Sequence, residues 1–263
     1  TQEAEDHLRA SLKLDQQIPV QYWQFMSSAA MLDFGDSIKA RRPVMELIKP
    51  KAVISLKLGM VAMAITLSVG IPLGVLAAVK RGTPLDSGAN MVAVLGQSLP
   101  QFWLGIMLIQ LFTVHLDLLP ASGTGGITHY ILPAFTLGWF VSAGIMRLLR
   151  SSMLEAFDGE YIKMARIKGL PEWKIVWKHT LKNALIPVLT FGASYLAAFI
   201  TGAILVETVF AWPGVGRLVY DSIIWRDFPV LQSLILMIAV VVILTNLIVD
   251  ILYAYIDPRI RYS

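Results

Sequence analysis

Residue types able to do covalent chemistry are present, but they are never assembled. The four histidines stand apart at His7, His115, His129 and His179, with no H-E-x-x-H pair for a metal and no G-x-S-x-G turn for a serine nucleophile. No G-x-x-x-x-G-K-[ST] run exists to cradle a nucleotide phosphate, so a self-contained pump is excluded. What the spacing does offer is a docking element. In 147–182, eight Lys and Arg side chains are arranged around Ala165, Gly169 and Pro171. Asp158 is placed to cap a short helix, Glu160 puts negative charge in its first turn, and Arg166 and Lys168 put positive charge in its last, all matching the helix dipole. Gly169 then suits the left-handed residue that stops a helix, and Pro171 the first position of the next. In that next helix Trp173, Val176, Trp177 and Leu181 recur on one side and Lys174, Lys178 and Lys182 on another, the pattern of a helix lying at a membrane interface. The 158–168 helix is short and projects between interfacial segments, so its expected role is to engage a protein partner.

The elements that must position this loop are membrane spans. The chain is 56% hydrophobic and 15% charged, with no cysteine, whereas a soluble domain carries about 25% charge. Runs free of Asp, Glu, Lys, Arg and His occupy 58–79, 87–114, 130–146, 183–206 and 228–249. Each is long enough to cross a hydrocarbon core of about 30 Å as a helix, and none shows the period-2 alternation of a barrel strand. The expected fold is therefore an all-α membrane protein, a bundle of five transmembrane helices. Lys80 and Arg81 follow the first run, the eight basic residues follow the third, and Arg259 and Arg261 follow the last, which places those loops and the C-terminus in the cytoplasm. Loops 115–129 and 207–227 are then external, as is a layer formed by 1–57, although that layer itself holds eight basic residues. Within it, 4–14 suits a short helix, 19–31 is an aromatic stretch, Asp33-Phe34-Gly35-Asp36 signals a turn, and Arg41-Arg42-Pro43 opens a second helix through Ile48. The basic balance suits anionic lipid, and no interleaving of bases with aromatics suggests nucleic acid.

The spans also bear on the energy source. Ion-coupled transport needs ionisable groups within the spans, and here Glu207 and Asp250 lie only at span ends, where water or headgroups are expected to reach them. Energy must come from a partner, or the protein is passive. A polar path between spans would use Gln97, Ser98 and Gln101 around Pro100, Thr190, Ser194 and Tyr195 in the fourth run, and Gln232, Ser233, Thr245 and Asn246 in the fifth. Interhelical hydrogen bonding is the competing use for each. Gly70 and Gly74 form a small-residue face for packing. Trp212-Pro213-Gly214 marks an external turn and is, with the helix expected at 215–224, a candidate external gate, a surface cap being the competing reading.

Tyr161-Ile162-Lys163-Met164-Ala165-Arg166-Ile167-Lys168-Gly169 with Asn183-Ala184-Leu185-Ile186-Pro187 resembles the cytoplasmic loop of ABC importer permeases of the dipeptide, oligopeptide, nickel and glutathione group. The segment 207–218, Glu-Thr-Val-Phe-Ala-Trp-Pro-Gly-Val-Gly-Arg-Leu, is similar to that group too, as are 226–230, Asp33-Phe34-Gly35, Arg42-Pro43-Val44 and Asp257-Pro258-Arg259. The general importer loop begins Glu-Ala-Ala where this chain has Lys163, Met164 and Ala165, a variation within the group. The group's pattern has a sixth span ahead of the external layer, and this sequence starts after the point where that helix should end.

The resemblance implies a bacterial inner-membrane permease that pairs with a second permease, two cytoplasmic ATPases and an external binding protein. ATP and Mg²⁺ would sit on the ATPases, and no cofactor or metal on this chain. Docking would fall to Tyr161, Ala165, Arg166, Lys168, Gly169 and Pro171. The implied cargo is small peptides, glutathione included, with nickel as the alternative. The rival readings are a passive channel or membrane scaffold and, less favoured, an intramembrane hydrolase.

Overall fold

The computed structural model describes residues 15–201 and 204–256. The helix expected at 4–14 and the basic residues Arg259 and Arg261 lie outside the described residues. Ten helical elements follow one another: α1 (Ile18–Ala30), α2 (Val44–Val79), α3 (Pro84–Ser98), α4 (Gln101–Leu108, continued as π-helix over Ile109–His115), α5 (Thr128–Phe157), α6 (Glu160–Ile167), α7 (Glu172–Ile200), α8 (Ile204–Val209), α9 (Val215–Ile224) and α10 (Phe228–Ile256). Among the described residues there is no strand, only an isolated antiparallel bridge between Asp36 and Pro43. Among the described residues four helices, α2, α5, α7 and α10, are long and apolar enough to cross a membrane, and the count is five if the bent pair α3 and α4 is taken as one span. The all-α bundle is thus as expected.

Its boundaries differ from the apolar runs in ways that have local causes. The second span is not straight: α3 and α4 meet at 106°. Pro100 forces the residue before it out of the helical region, and Leu99 has φ −84° and ψ 129°. The first span does not begin near 58, because α2 runs unbroken from Val44. Thirty-six residues at 1.5 Å each is about 54 Å, so α2 projects well beyond a ~30 Å core. The third span likewise continues as helix through Phe157, so 147–157 is rod rather than loop. At 172 the expected interfacial helix is instead the first part of α7, with a π-helical stretch over Ile175–Thr180. The predicted stripe is divided: Val176 and Leu181 are buried, while Trp173 and Trp177 are exposed.

The core centres on α5, whose Leu132, Leu137, Val141, Ile145 and Leu149 pack against Leu58 and Ala62 of α2 and Val188 of α7. Small residues bring the α2 and α5 backbones together. A Cβ on Gly70 would sit 2.9 Å from the Ser142 carbonyl oxygen, and one on Gly74 would sit 3.0 Å from that of Met146. Across the same contact Thr66 donates to the Gly138 carbonyl at 3.3 Å. The Gly70 and Gly74 face is therefore a packing face. A second cluster joins Phe34, Val44 and Ile48 to Val215, Leu218 and Val219 of α9 and Val230 and Leu234 of α10. Chain direction puts that cluster at one end of the bundle and α6 at the other.

Candidate functional site

At the α6 end, Asp158 does not cap α6. It closes α5, and Gly159, with ψ 142°, is the N-cap. A Cβ on Gly159 would lie 2.8 Å from the Tyr161 ring and 3.0 Å from the Ala156 carbonyl oxygen, so a side chain at this junction between rod and helix would press on both. The far end of α6 closes in a Schellman motif. Gly169 has φ +74°, its N–H donates to the Arg166 carbonyl at 2.9 Å, and the Leu170 N–H donates to the Ala165 carbonyl at 3.2 Å. Pro171 takes the N-cap of the next helix, one position before the expected first turn, with ψ 143°.

The faces of α6 are now distinct. Ile162 and Ala165 are buried against Ile175, with Phe157 and Leu170 around them, so Ala165 is small because α7 of the same chain lies against it. Tyr161 accepts a hydrogen bond from the Asn183 amide at 3.2 Å, and Arg166 pairs with Glu172 at 3.0 Å. The outward face consists of Met164, Ile167, Lys163 and Lys168, and Ile167 is 80% exposed. Met164 and Ile167 were not singled out from the sequence. Helical spacing from the buried pair Ile162 and Ala165 was the available signal.

A second ionic device stands one step behind α6. Asp86, buried at the start of α3, receives both Arg150 Nε at 2.7 Å and Nη2 at 2.8 Å, and the Gly82 N–H and Asn90 amide complete its shell. The rod that ends in α6 is thereby fastened to the bent span. Sequence spacing of 64 residues hid this pair.

The opposite end holds the 207–227 segment. Glu207, expected at a solvent-reached span end, is 1% exposed. It accepts from Ser55 Oγ at 2.6 Å and from the Arg217 N–H at 3.0 Å, with the Gly216 N–H beside them, while Ser55 accepts from the Val215 N–H at 2.8 Å. One carboxylate therefore ties the N-terminus of α9 to α2. Burial pushes the Glu207 carboxyl up, against the pull of these donors and of the Lys51 charge. Gly214 leaves no room for a side chain, since a Cβ would collide with Ser55 Oγ and the Glu207 carboxylate. Trp212 is fully buried, edge-on to Tyr130 at 4.8 Å, and Pro213 is half-buried between it and Gly214. The turn named as a candidate gate is wedged into the bundle.

The candidate pore residues separate by environment. Gln97 and Tyr195 each lie beside α5 around Phe191: a Cβ on Gly144 would meet the Phe191 ring at 2.9 Å and the Gln97 amide nitrogen at 3.5 Å, and Tyr195 lies 4.9 Å from Phe191 and 6.4 Å from Phe140. Gln101 and Thr245 are half-buried, and Thr190 bonds to the Ile186 carbonyl. Ser233 is buried and bonded to the Pro229 carbonyl at 2.6 Å. Ser98, Ser194, Gln232 and Asn246 are exposed. Among the described residues no group of three or more His, Asp or Glu is placed to hold a metal ion.

A broken-span helical bundle with a short helix clipped to one end defines a multi-pass membrane transport subunit. The chain belongs to the binding-protein-dependent transport system inner membrane component family, whose model matches residues 70–262. It is 41% identical to the dipeptide transport system permease protein DppB of Escherichia coli (strain K12), the match covering 97% of this chain and 85% of DppB. It is 43% identical to the glutathione transport system permease protein GsiC of the same strain, covering 97% and 84%. In fold it is similar to a chain of the inward-facing MetNI methionine ABC transporter (TM-score 0.68, 19% identity, 81% of this chain and 97% of that one). A chain of an amino acid ABC transporter crystallised with histidines is also similar (TM-score 0.60, 16% identity, 82% and 94%).

Proposed function

We propose that this permease forms half of the translocation path of an ATP-driven importer of small peptides, and that α6 is the surface through which a cytoplasmic ATPase moves it. The observation that carries this is the two-faced build of α6. One side is locked to α7 through Ile162, Ala165 and Ile175, and the other leaves Ile167 80% exposed beside Met164, Lys163 and Lys168. An apolar anchor ringed by cations on a rigid, capped helix suits insertion into a partner's cleft.

Lys80, Arg81, Arg147 and Arg150 lie at the same end, which supports a cytoplasmic α6 and an external N-terminal layer by the positive-inside rule. ATP and Mg²⁺ belong to the ATPases in this reading. The dipeptide and glutathione permeases it resembles support peptide cargo, delivered by an external binding protein, with a second permease completing the path.

Ile167→Glu tests the reading, because residue 167 is outside the α6 packing cluster and its replacement spares the fold. Co-purification with the ATPase subunits and ATP-dependent dipeptide uptake in proteoliposomes should both fall about tenfold or more, at unchanged thermal stability. Full uptake by this variant would sink the proposal.

A further inference from the structure

A cavity of about 340 Å³ opens at the end of the bundle opposite α6, and its lining is unlike the rest of the membrane domain. Lys39 and Arg42 line it from the turn before α2, Lys51 from α2 itself, and Asp221 and Trp225 from α9 and its C-cap. The remaining carboxylate in the wall, Asp227, is already met by the turn before α2: it accepts from Ser37 Oγ at 2.5 Å and from the Ile38 and Lys39 N–H groups at 3.2 and 3.3 Å. Among the described residues none of the three cations forms an ion pair within 4.0 Å. Lys39 Nζ stands 6.0 Å from the centroid of the half-exposed Trp225 ring, and the half-buried Lys51 is close enough for its field to act on Glu207.

We infer that this cavity binds a small zwitterionic solute of dipeptide size, its carboxylate held by Lys51 and Arg42, its ammonium facing Asp221 and its apolar side chain against Trp225. Three cations without an ion pair within 4.0 Å line one concavity whose Asp227 is already committed, and an incoming carboxylate would offer them charge-assisted hydrogen bonds. Asp221 on the α9 wall adds an acceptor for the opposite charge, and an indole face adds the apolar surface that small-molecule sites require. The volume is at the low end of such sites, about 300–1,000 Å³, which suits two residues rather than many. The site lies at the first turns of α2 and α10, at the end of these long helices away from α6, so it would hold solute before it passes between them. The inference rests on the small-peptide reading above for the identity of the solute, but not on ATPase coupling.

Isothermal titration of the full chain in lipid nanodiscs tests it, with Ala-Phe, its C-terminal amide, 3-phenylpropionate and an acetylated, amidated peptide carrying one internal glutamate. Ala-Phe should bind, and amidation should weaken it by about tenfold or more, the worth of a charge-assisted pair. Arg42→Gln with Lys51→Gln should remove the difference between acid and amide, and Asp221→Asn should weaken Ala-Phe while sparing 3-phenylpropionate. Equal binding of acid and amide, no binding of Ala-Phe or 3-phenylpropionate, or an unchanged R42Q/K51Q variant overturns the site. Binding of the internal-glutamate peptide alone overturns the solute assignment in favour of a protein-borne carboxylate. Binding of 3-phenylpropionate without Ala-Phe supports the carboxylate contacts and overturns the peptide. Because no ATPase is present in the titration, a failure of the import reading leaves these outcomes unchanged.

Discussion

Replacing Glu207 should cost this protein more stability than any exposed charge, and the structure gives the size. In Glu207→Ala the Ser55 hydroxyl and the Gly216 and Arg217 amides lose their acceptor inside a buried junction. Each unpaired buried donor costs about 1–3 kcal/mol, and relief from burying the carboxylate returns part of that, leaving a net loss of about 2–4 kcal/mol. For a chain of this length that is about 4–16 °C in Tm. Glu207→Gln keeps one carbonyl for the α9 amides and should lose about half as much. The pH dependence has a definite sign. Burial raises the folded-state pKa above the unfolded one, so this carboxyl's stabilisation is complete below the unfolded value and is lost as pH rises through the folded value. The Tm of wild type minus that of Glu207→Gln should therefore shrink from about pH 4 to pH 8. Thermal unfolding of the purified protein in detergent measures both. An alanine variant within about 1 °C of wild type, or a difference that grows with pH, would refute the assignment of Glu207 as the acceptor that holds α9 to α2.

Two further substitutions probe the α6 end. Gly169→Val places a β-branched residue at φ +74°, where a Cβ meets nothing within 4 Å, so the cost is backbone strain of about 1–3 kcal/mol confined to the cap. Tm should fall by about 2–12 °C while ATP-driven uptake is lost, and normal uptake by an assembled variant would contradict the role given to this cap. For Asp86→Asn and Arg150→Gln a double-mutant cycle on thermal stability should return a coupling of about 1–2 kcal/mol, at the low side for a bidentate pair because Arg150 is partly exposed. A coupling near zero would show that the pair does not join α3 to α5.

The spans were legible because burying 20 apolar residues in lipid leaves a signature that no local exception can hide. The α6 cap was legible too, since Gly169 and the charges around it act through backbone and dipole, which are properties of neighbours in sequence. What escaped was long-range or cumulative. A proline at 100 could kink a helix or break it, and only the extended Leu99 shows that it breaks it. A π-helical stretch at Ile175–Thr180 rotates every later residue, so the facing of Trp177 could not follow from a 3.6-residue period. Glu207 reads as a solvent-reached span end and Asp86 and Asp227 carry no local signal, yet each is buried and takes a donor from 64 to 190 residues away.

Back-bonding sorts the polar side chains that face outward from the spans. Ser98 donates to the Val94 carbonyl at 2.8 Å and Ser194 to the Thr190 carbonyl at 3.1 Å, so each hydroxyl is satisfied by its own helix and can face lipid at little cost. Gln232 and Asn246 on α10 have no such bond among the described residues, whereas the Asn90 and Asn183 amides do bond to their own i−4 carbonyls, at 2.9 and 3.2 Å. An exposed amide without a partner is expensive in hydrocarbon, so this side of α10 must meet water or another subunit. The chain has no cysteine, which allows single-cysteine probing without background. In the assembled transporter, Gln232→Cys and Asn246→Cys should react with a membrane-impermeant maleimide or be shielded by the second permease, and Ile248→Cys, an exposed apolar position on the opposite side of the same helix, should react only with a lipid-soluble one. Labelling of Gln232→Cys and Asn246→Cys by the lipid-soluble reagent alone would mean that lipid covers these amides, and the polar path would then have to run through Gln97 and Tyr195 instead.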